Sequence, residues 1–118
     1  MSPKTPLLTI VETRAYLARA EGLLSEEERE AVKVEIAAAP ERGVVIQGTG
    51  GVRKMRFAVG NRGRSAGVRV IYYFHNETMP AFLLAVFAKS RQANLSKSER
   101  NELAKLVRIL RETYGDAE

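Results

Sequence analysis

Two apolar, β-prone runs, Val52 to Val59 and Val68 to Phe74, flank a Gly-rich, basic connection that has no hydrophobic periodicity of its own. This hairpin signature constrains the 118-residue chain more than any other stretch. The second run is almost continuously apolar, as a central strand covered on both faces would be. Ala81 to Phe87 repeats that pattern after a turn at Asn76-Glu77-Thr78. Runs that follow one another at such short intervals fold back as an antiparallel sheet.

The flanking segments supply what such a sheet packs against. Ser2 to Pro6 holds two prolines and is expected to be irregular, with Leu7 to Val11 a short edge strand after it. Glu12 to Glu21 is rich in helix formers and stops at Gly22. Ser25-Glu26-Glu27-Glu28 is a capping box, and Val32, Ile36 and Ala39 recur behind it at helical spacing until Pro40. Val44 to Ile46 extends toward the sheet before Gly48, Gly50 and Gly51 bend the chain. A second capping box, Ser96-Lys97-Ser98-Glu99, opens a helix with Leu103, Leu106, Val107 and Leu110 on one stripe. The expected fold is α+β: an antiparallel sheet of about four strands with two N-terminal helices and one C-terminal helix, the helices mostly on one side. Residues 1–118 read as a single domain without repeats or a linker, long enough to bury roughly 65% of its unfolded surface.

Charge is distributed unevenly. From Arg42 to Asn76 the chain carries seven cations (Arg42, Arg53, Lys54, Arg56, Arg62, Arg64 and Arg69) and no Asp or Glu. Outside that window, 12 of the 19 Lys and Arg stand against all 14 acids. The basicity is therefore a local patch on the hairpin, suited to a polyanion and above all to phosphate. The chain has no cysteine, which removes disulfides, thiolate zinc sites and Cys nucleophiles. With no apolar run of membrane-spanning length and no signal-like N-terminus, a cytoplasmic protein is expected, with no membrane partner.

The residue types narrow the chemistry. Metal-assisted phosphate chemistry needs clustered carboxylates or imidazoles, but the basic window holds no acid and the chain has one His. Gly48-Thr49-Gly50-Gly51 lacks the Gly-Lys-Ser/Thr ending of a nucleotide cradle, and its glycines are read as shaping the approach to the hairpin. What remains is cofactor-free chemistry on RNA, whose 2′-hydroxyl is itself a nucleophile. The protein then supplies orientation, charge stabilisation and proton transfer. Arg grips phosphate oxygens as a planar fork, and Lys is a compact charge able to move protons.

On an extended strand Lys54 and Arg56 share one face, with Arg53, Met55, Phe57 and Val59 on the other. Arg69 opens the next strand and falls within a few residues of Arg56 across the hairpin. An ordinary solvated strand face is the competing reading of Lys54 and Arg56. Arg53, Arg62 and Arg64 are expected to hold RNA phosphates electrostatically. His75 closes its strand at the end away from Arg56 and Arg69, so it is not assigned as a base. Tyr72, Tyr73 and Phe74 suit a core, with Tyr73 expected to turn its hydroxyl toward RNA.

The run VIQGTGGVRKMRFAVGNRGRSAGVRVIYYFH, followed by FLLAVFAKS and a capped C-terminal helix, resembles the RelE superfamily of bacterial toxins, in particular its HigB-like branch. The resemblance covers about residues 44 to 111. It implies a toxin of a type II toxin-antitoxin system, an endoribonuclease that cuts mRNA in the ribosomal A site without a cofactor. The implied silencing partner is a cognate antitoxin, a helix-turn-helix DNA-binding protein. By position it implies catalytic roles for Lys54, Arg56, Arg69 and Lys89, with Phe87 and Arg91 beside them in contact with RNA. HigB-like relatives commonly carry Tyr where this chain has Phe87, so a stacking contact is kept and a phenolic proton donor is not. Two other readings keep the fold: a ParE-like inhibitor of DNA gyrase, and a non-catalytic RNA or ribosome binder.

Overall fold

The computed structural model describes residues 8–59, 67–88 and 95–115. Its elements run β1 (Ile10–Glu12), α1 (Arg14–Ala20), α2 (Glu26–Ala38), β2 (Val44–Val45), β3 (Val52–Ala58), β4 (Gly67–Tyr73), β5 (Ala81–Ala88) and α3 (Lys97–Tyr114). The five strands form one sheet in the order β1-β5-β4-β3-β2. β1 lies parallel to β5 and the other pairs are antiparallel. The β3–β4–β5 meander is the expected hairpin plus its third strand. The count exceeds the expected four because two short segments, three residues in β1 and two in β2, both pair at the edges.

Each helix begins where its sequence supplies acceptors for free backbone N–H groups. Ser25 and Glu28 form a reciprocal capping box on α2, and Ser96 and Glu99 do the same on α3. The first helix starts later than expected. Thr13 caps α1 by accepting from the Tyr16 N–H, and its own hydroxyl donates to the Leu83 carbonyl at 2.7 Å. Glu12 is thereby held in β1, where its carboxylate accepts from Arg29 at 3.0 Å and from Lys33 at 3.3 Å. Burial pushes this carboxyl up, but the hydrogen bonds from the two α2 cations outweigh it and hold Glu12 below its ordinary value.

Strand alternation divides the core in two. Val68, Val70, Tyr72 and Phe74 point to one face, where they pack with Met55 and Leu83 against Tyr16, Ala20, Val32 and Ile36 of α1 and α2. Ile71 and Tyr73 point to the other, with Val52, Phe82 and Leu84 beneath Val107 and Leu110 of α3. Two of the three helices therefore share one face, as expected, and α3 covers the other. A central strand that is apolar on every residue leaves two faces to cover, and the α3 stripe covers the second. A bulge between Ile71 and Tyr72 in the β4–β5 ladder lets Leu84 and Ala85 both face α3.

Two glycines allow close approaches, one before the first hairpin strand and one before β2. Gly50 has φ of 82°, and a Cβ there would stand 3.4 Å from Val107 Cγ1, so the loop before β3 slips under α3. At Gly43 a Cβ would meet the Tyr72 hydroxyl at 2.7 Å. That hydroxyl accepts from the Gly43 N–H at 2.9 Å and donates to the Pro40 carbonyl at 2.8 Å, fixing the connection from α2 to β2. Thr49, fully buried, donates to the Ile46 carbonyl and accepts from the Val52 N–H, which closes the glycine loop. Among the described residues no helix is long and apolar enough to cross a membrane.

Candidate active site

The register of the hairpin decides what the basic residues can do together. Arg56 on β3 stands directly opposite Arg69 on β4, and Arg69 stands opposite Phe87 on β5. These three side chains form a row across adjacent strands, on the same face as Ile71 and Tyr73. Lys54, two residues before Arg56, pairs with Ile71 in the next row. Neighbouring strands lie about 4.8 Å apart, so the charged ends of Lys54, Arg56 and Arg69 can serve one phosphate group.

These residues line a groove of about 430 Å³ together with Arg42, Val44 and Met55. Among the described residues no carboxylate lines it. β2 forms one bank, because Val44 pairs with Lys54, and this pairing carries Arg42 to the groove. Arg42 also bonds Glu35 of α2 at 3.2 Å, so its charge is shared with the α2 end of the molecule. Arg56 is exposed, and Lys54 and Arg69 are half-buried. Among the described residues no group of three or more His, Asp or Glu is placed to hold a metal ion.

The remaining sequence-predicted residues divide by place. Phe87 is buried opposite Arg69 on β5, and the Arg19 guanidinium of α1 lies over its ring, 4.6 Å from the centroid. Arg53 points away. Its guanidinium donates to the carbonyls of Glu41 and Gly43 at 2.9 and 2.8 Å, so it ties down the turn before β2. Tyr73 lies in the core under α3 rather than in the groove, 2% exposed. Burial pushes its phenol up, opposed by the nearby Arg111 charge. Arg62, Arg64, Lys89 and Arg91 fall outside the described residues.

Two cations were missed by sequence reasoning. Arg42 lies inside the basic window but has no periodicity that ties it to Lys54, and only the β2–β3 pairing does so. Arg19 sits on a surface helix, and nothing in its spacing announces Phe87 as its neighbour. His75, past the end of β4, is indeed remote from the Arg56–Arg69 row.

Residues 15–116 match the family model described as the RelE toxin of the RelE / RelB toxin-antitoxin system. The chain belongs to the RelE toxin family. Its fold agrees: the free-state structure of an Escherichia coli RelE toxin, as a double arginine-to-alanine mutant, superposes with a TM-score of 0.54 at 23% identity. That match covers 88% of this chain and 99% of the other. RelE membership makes an antitoxin the expected binding partner. The groove, lined among the described residues by four cations and no acid, is the feature of this RelE-family chain best suited to RNA chemistry.

Proposed function

We propose that this RelE-family toxin is an endoribonuclease that cuts mRNA in the ribosomal A site without a metal or cofactor, and so inhibits translation. The observation that carries the reading is the Arg56–Arg69 pair in register beside Lys54, in a groove that no carboxylate of the described residues lines. The 2′-oxygen attacks the adjacent phosphorus and the bond from phosphorus to the 5′-oxygen breaks. The products are a 2′,3′-cyclic phosphate and a free 5′-hydroxyl. Arg56 and Arg69 stabilise charge that develops on the non-bridging oxygens. Lys54 takes the proton leaving the 2′-hydroxyl, and Lys89 is assigned to the leaving oxygen. A placed acid or base is worth about 10² to 10⁴ in rate.

The resemblance to the HigB-like branch supports a helix-turn-helix antitoxin as the silencing partner, with an acidic segment covering the groove. The cytoplasm is where such a toxin meets translating ribosomes. Inducible expression with and without the neighbouring open reading frame tests the whole reading. Growth arrest should come with new message 5′ ends inside codons, and Arg69→Ala should lower that cleavage at least 100-fold while the protein stays folded. Undiminished cleavage by that variant would remove the site. Arrest without cuts, accompanied by loss of supercoiling by purified gyrase, would instead place the chain with ParE-like toxins.

A further inference from the structure

At the opposite end of β4 from Arg69 lies a second cleft of about 400 Å³, between α3 and the residues that follow the strand. Its lining includes His75, Arg108, Arg111 and Glu112, over a floor of Gly50, Ala104 and Val107. Arg108 and Arg111 are three residues apart on α3 and therefore project from one side of the helix. His75 is exposed, and its ring stacks on Tyr73 with centroids 6.4 Å apart and planes inclined by 13°. Tyr73 is buried, so the imidazole is a supported platform rather than a free rotor.

We propose that this cleft is a second nucleotide-binding site, which takes one nucleotide of an RNA strand with its base flat on His75 and its phosphate at Arg108 and Arg111. The proposal deepens the RNA reading given above and rests on it for the identity of the ligand. Each part of the cleft has a use in that pose. The small residues Gly50 and Ala104 leave room for a planar base. Glu112 supplies an acceptor for a ribose hydroxyl or a base amino group. Arg111, in the last turn of α3, also offsets the helix dipole, but that role accounts for neither Arg108 nor His75. Arg69 lies in β4 and His75 two residues past its end, six residues apart and about 20 Å in extended chain, so the cleft and the groove are separate contacts rather than one.

The test uses a six-residue 2′-O-methyl oligonucleotide, which cannot be cut by its own 2′-oxygen, and measures its binding to the whole protein by anisotropy across a salt series. Removing the contact to that one phosphate with Arg108→Gln/Arg111→Gln should lower the slope of log affinity against log salt by about 0.7. His75→Ala should weaken binding roughly tenfold and leave that slope unchanged. Both effects should persist in an Arg56→Gln background, since distant sites act independently. Wild-type slope and affinity in the double variant would overturn the site. An oligoglutamate of the same length that binds through Arg108 and Arg111 without needing His75 would also overturn it, in favour of an acidic peptide. Loss of message cleavage is not the readout, so a toxin that never cut RNA would sink the nuclease reading and leave this measurement intact.

Discussion

On the face covered by α1 and α2, β4 contributes Val68, Val70 and Tyr72, and Phe74 just past its end joins them, all buried in one apolar cluster. On the face covered by α3 the same strand contributes Ile71 and Tyr73 to a core and Arg69 to a groove. β3 divides in the same way, with Met55 and Phe57 toward α1 and α2, and Val52, Lys54 and Arg56 toward α3. The change from apolar to cationic runs across the ladder: Val52 pairs with Tyr73, Lys54 with Ile71, and Arg56 with Arg69. One face therefore stabilises the fold along its whole length. The other gives half its length to a core and the other half to the cationic groove.

Substitutions that touch one face alone separate these two roles, and the largest effect belongs to the sealed face. Leu83, fully buried on β5 toward α1 and α2, should cost about 2–5 kcal/mol as Leu83→Ala in chemical denaturation. Activity per folded molecule should be unchanged, because its side chain lies on the face away from the groove. If kcat fell along with stability, the two faces would be coupled and the division drawn above would fail.

Next in size is the ion cluster that ties β1 to α2. Glu12→Gln removes the anion shared by Arg29 and Lys33 and should cost about 1.5–3 kcal/mol at pH 7. Because the folded carboxyl is held below its ordinary value of 4.5, its contribution is complete above that value and fades as pH falls through the folded pKa. Urea midpoints of the two proteins should therefore differ near neutrality and converge in acid. A gap that stays constant down to pH 3 would mean that Glu12 acts by shape rather than by charge.

Much of this arrangement was legible in the chain, and what was not has a physical reason. The capping boxes at Ser25 and Ser96 signal locally, through a side chain and the N–H three residues on, so both helix starts were readable. Lys54 and Arg56 share a face because period 2 is a property of a single strand. That Arg56 meets Arg69 depends on a turn that sets register, and alternation alone allowed only an approximate pairing. Arg53 illustrates the limit from the other side. Its charge placed it among the RNA contacts, yet two backbone carbonyls at Glu41 and Gly43, twelve and ten residues upstream, take its guanidinium. Tyr73 was drawn to the groove by its hydroxyl, whereas it lies under α3, whose apolar stripe announced docking on the sheet but not which face it covers. Arg19 and Arg42 reached their neighbours only through tertiary packing, which no spacing rule encodes.

The smallest expected effect bears most directly on the open half of the second face. Arg56 is exposed and stands opposite another arginine, an arrangement that disfavours the folded sheet by a few tenths of a kcal/mol. Arg56→Ala should accordingly leave stability within about 0.5 kcal/mol of the parent, and any gain should shrink as salt screens the repulsion. Thermal unfolding at low and high ionic strength measures both quantities. The same variant should lose cleavage, so function and stability would move independently at one residue. A loss of more than 1 kcal/mol would show instead that Arg56 holds the sheet together. The cationic row would then be part of the scaffold, and the contrast between a sealed half and a working half would need to be redrawn one strand further toward β5.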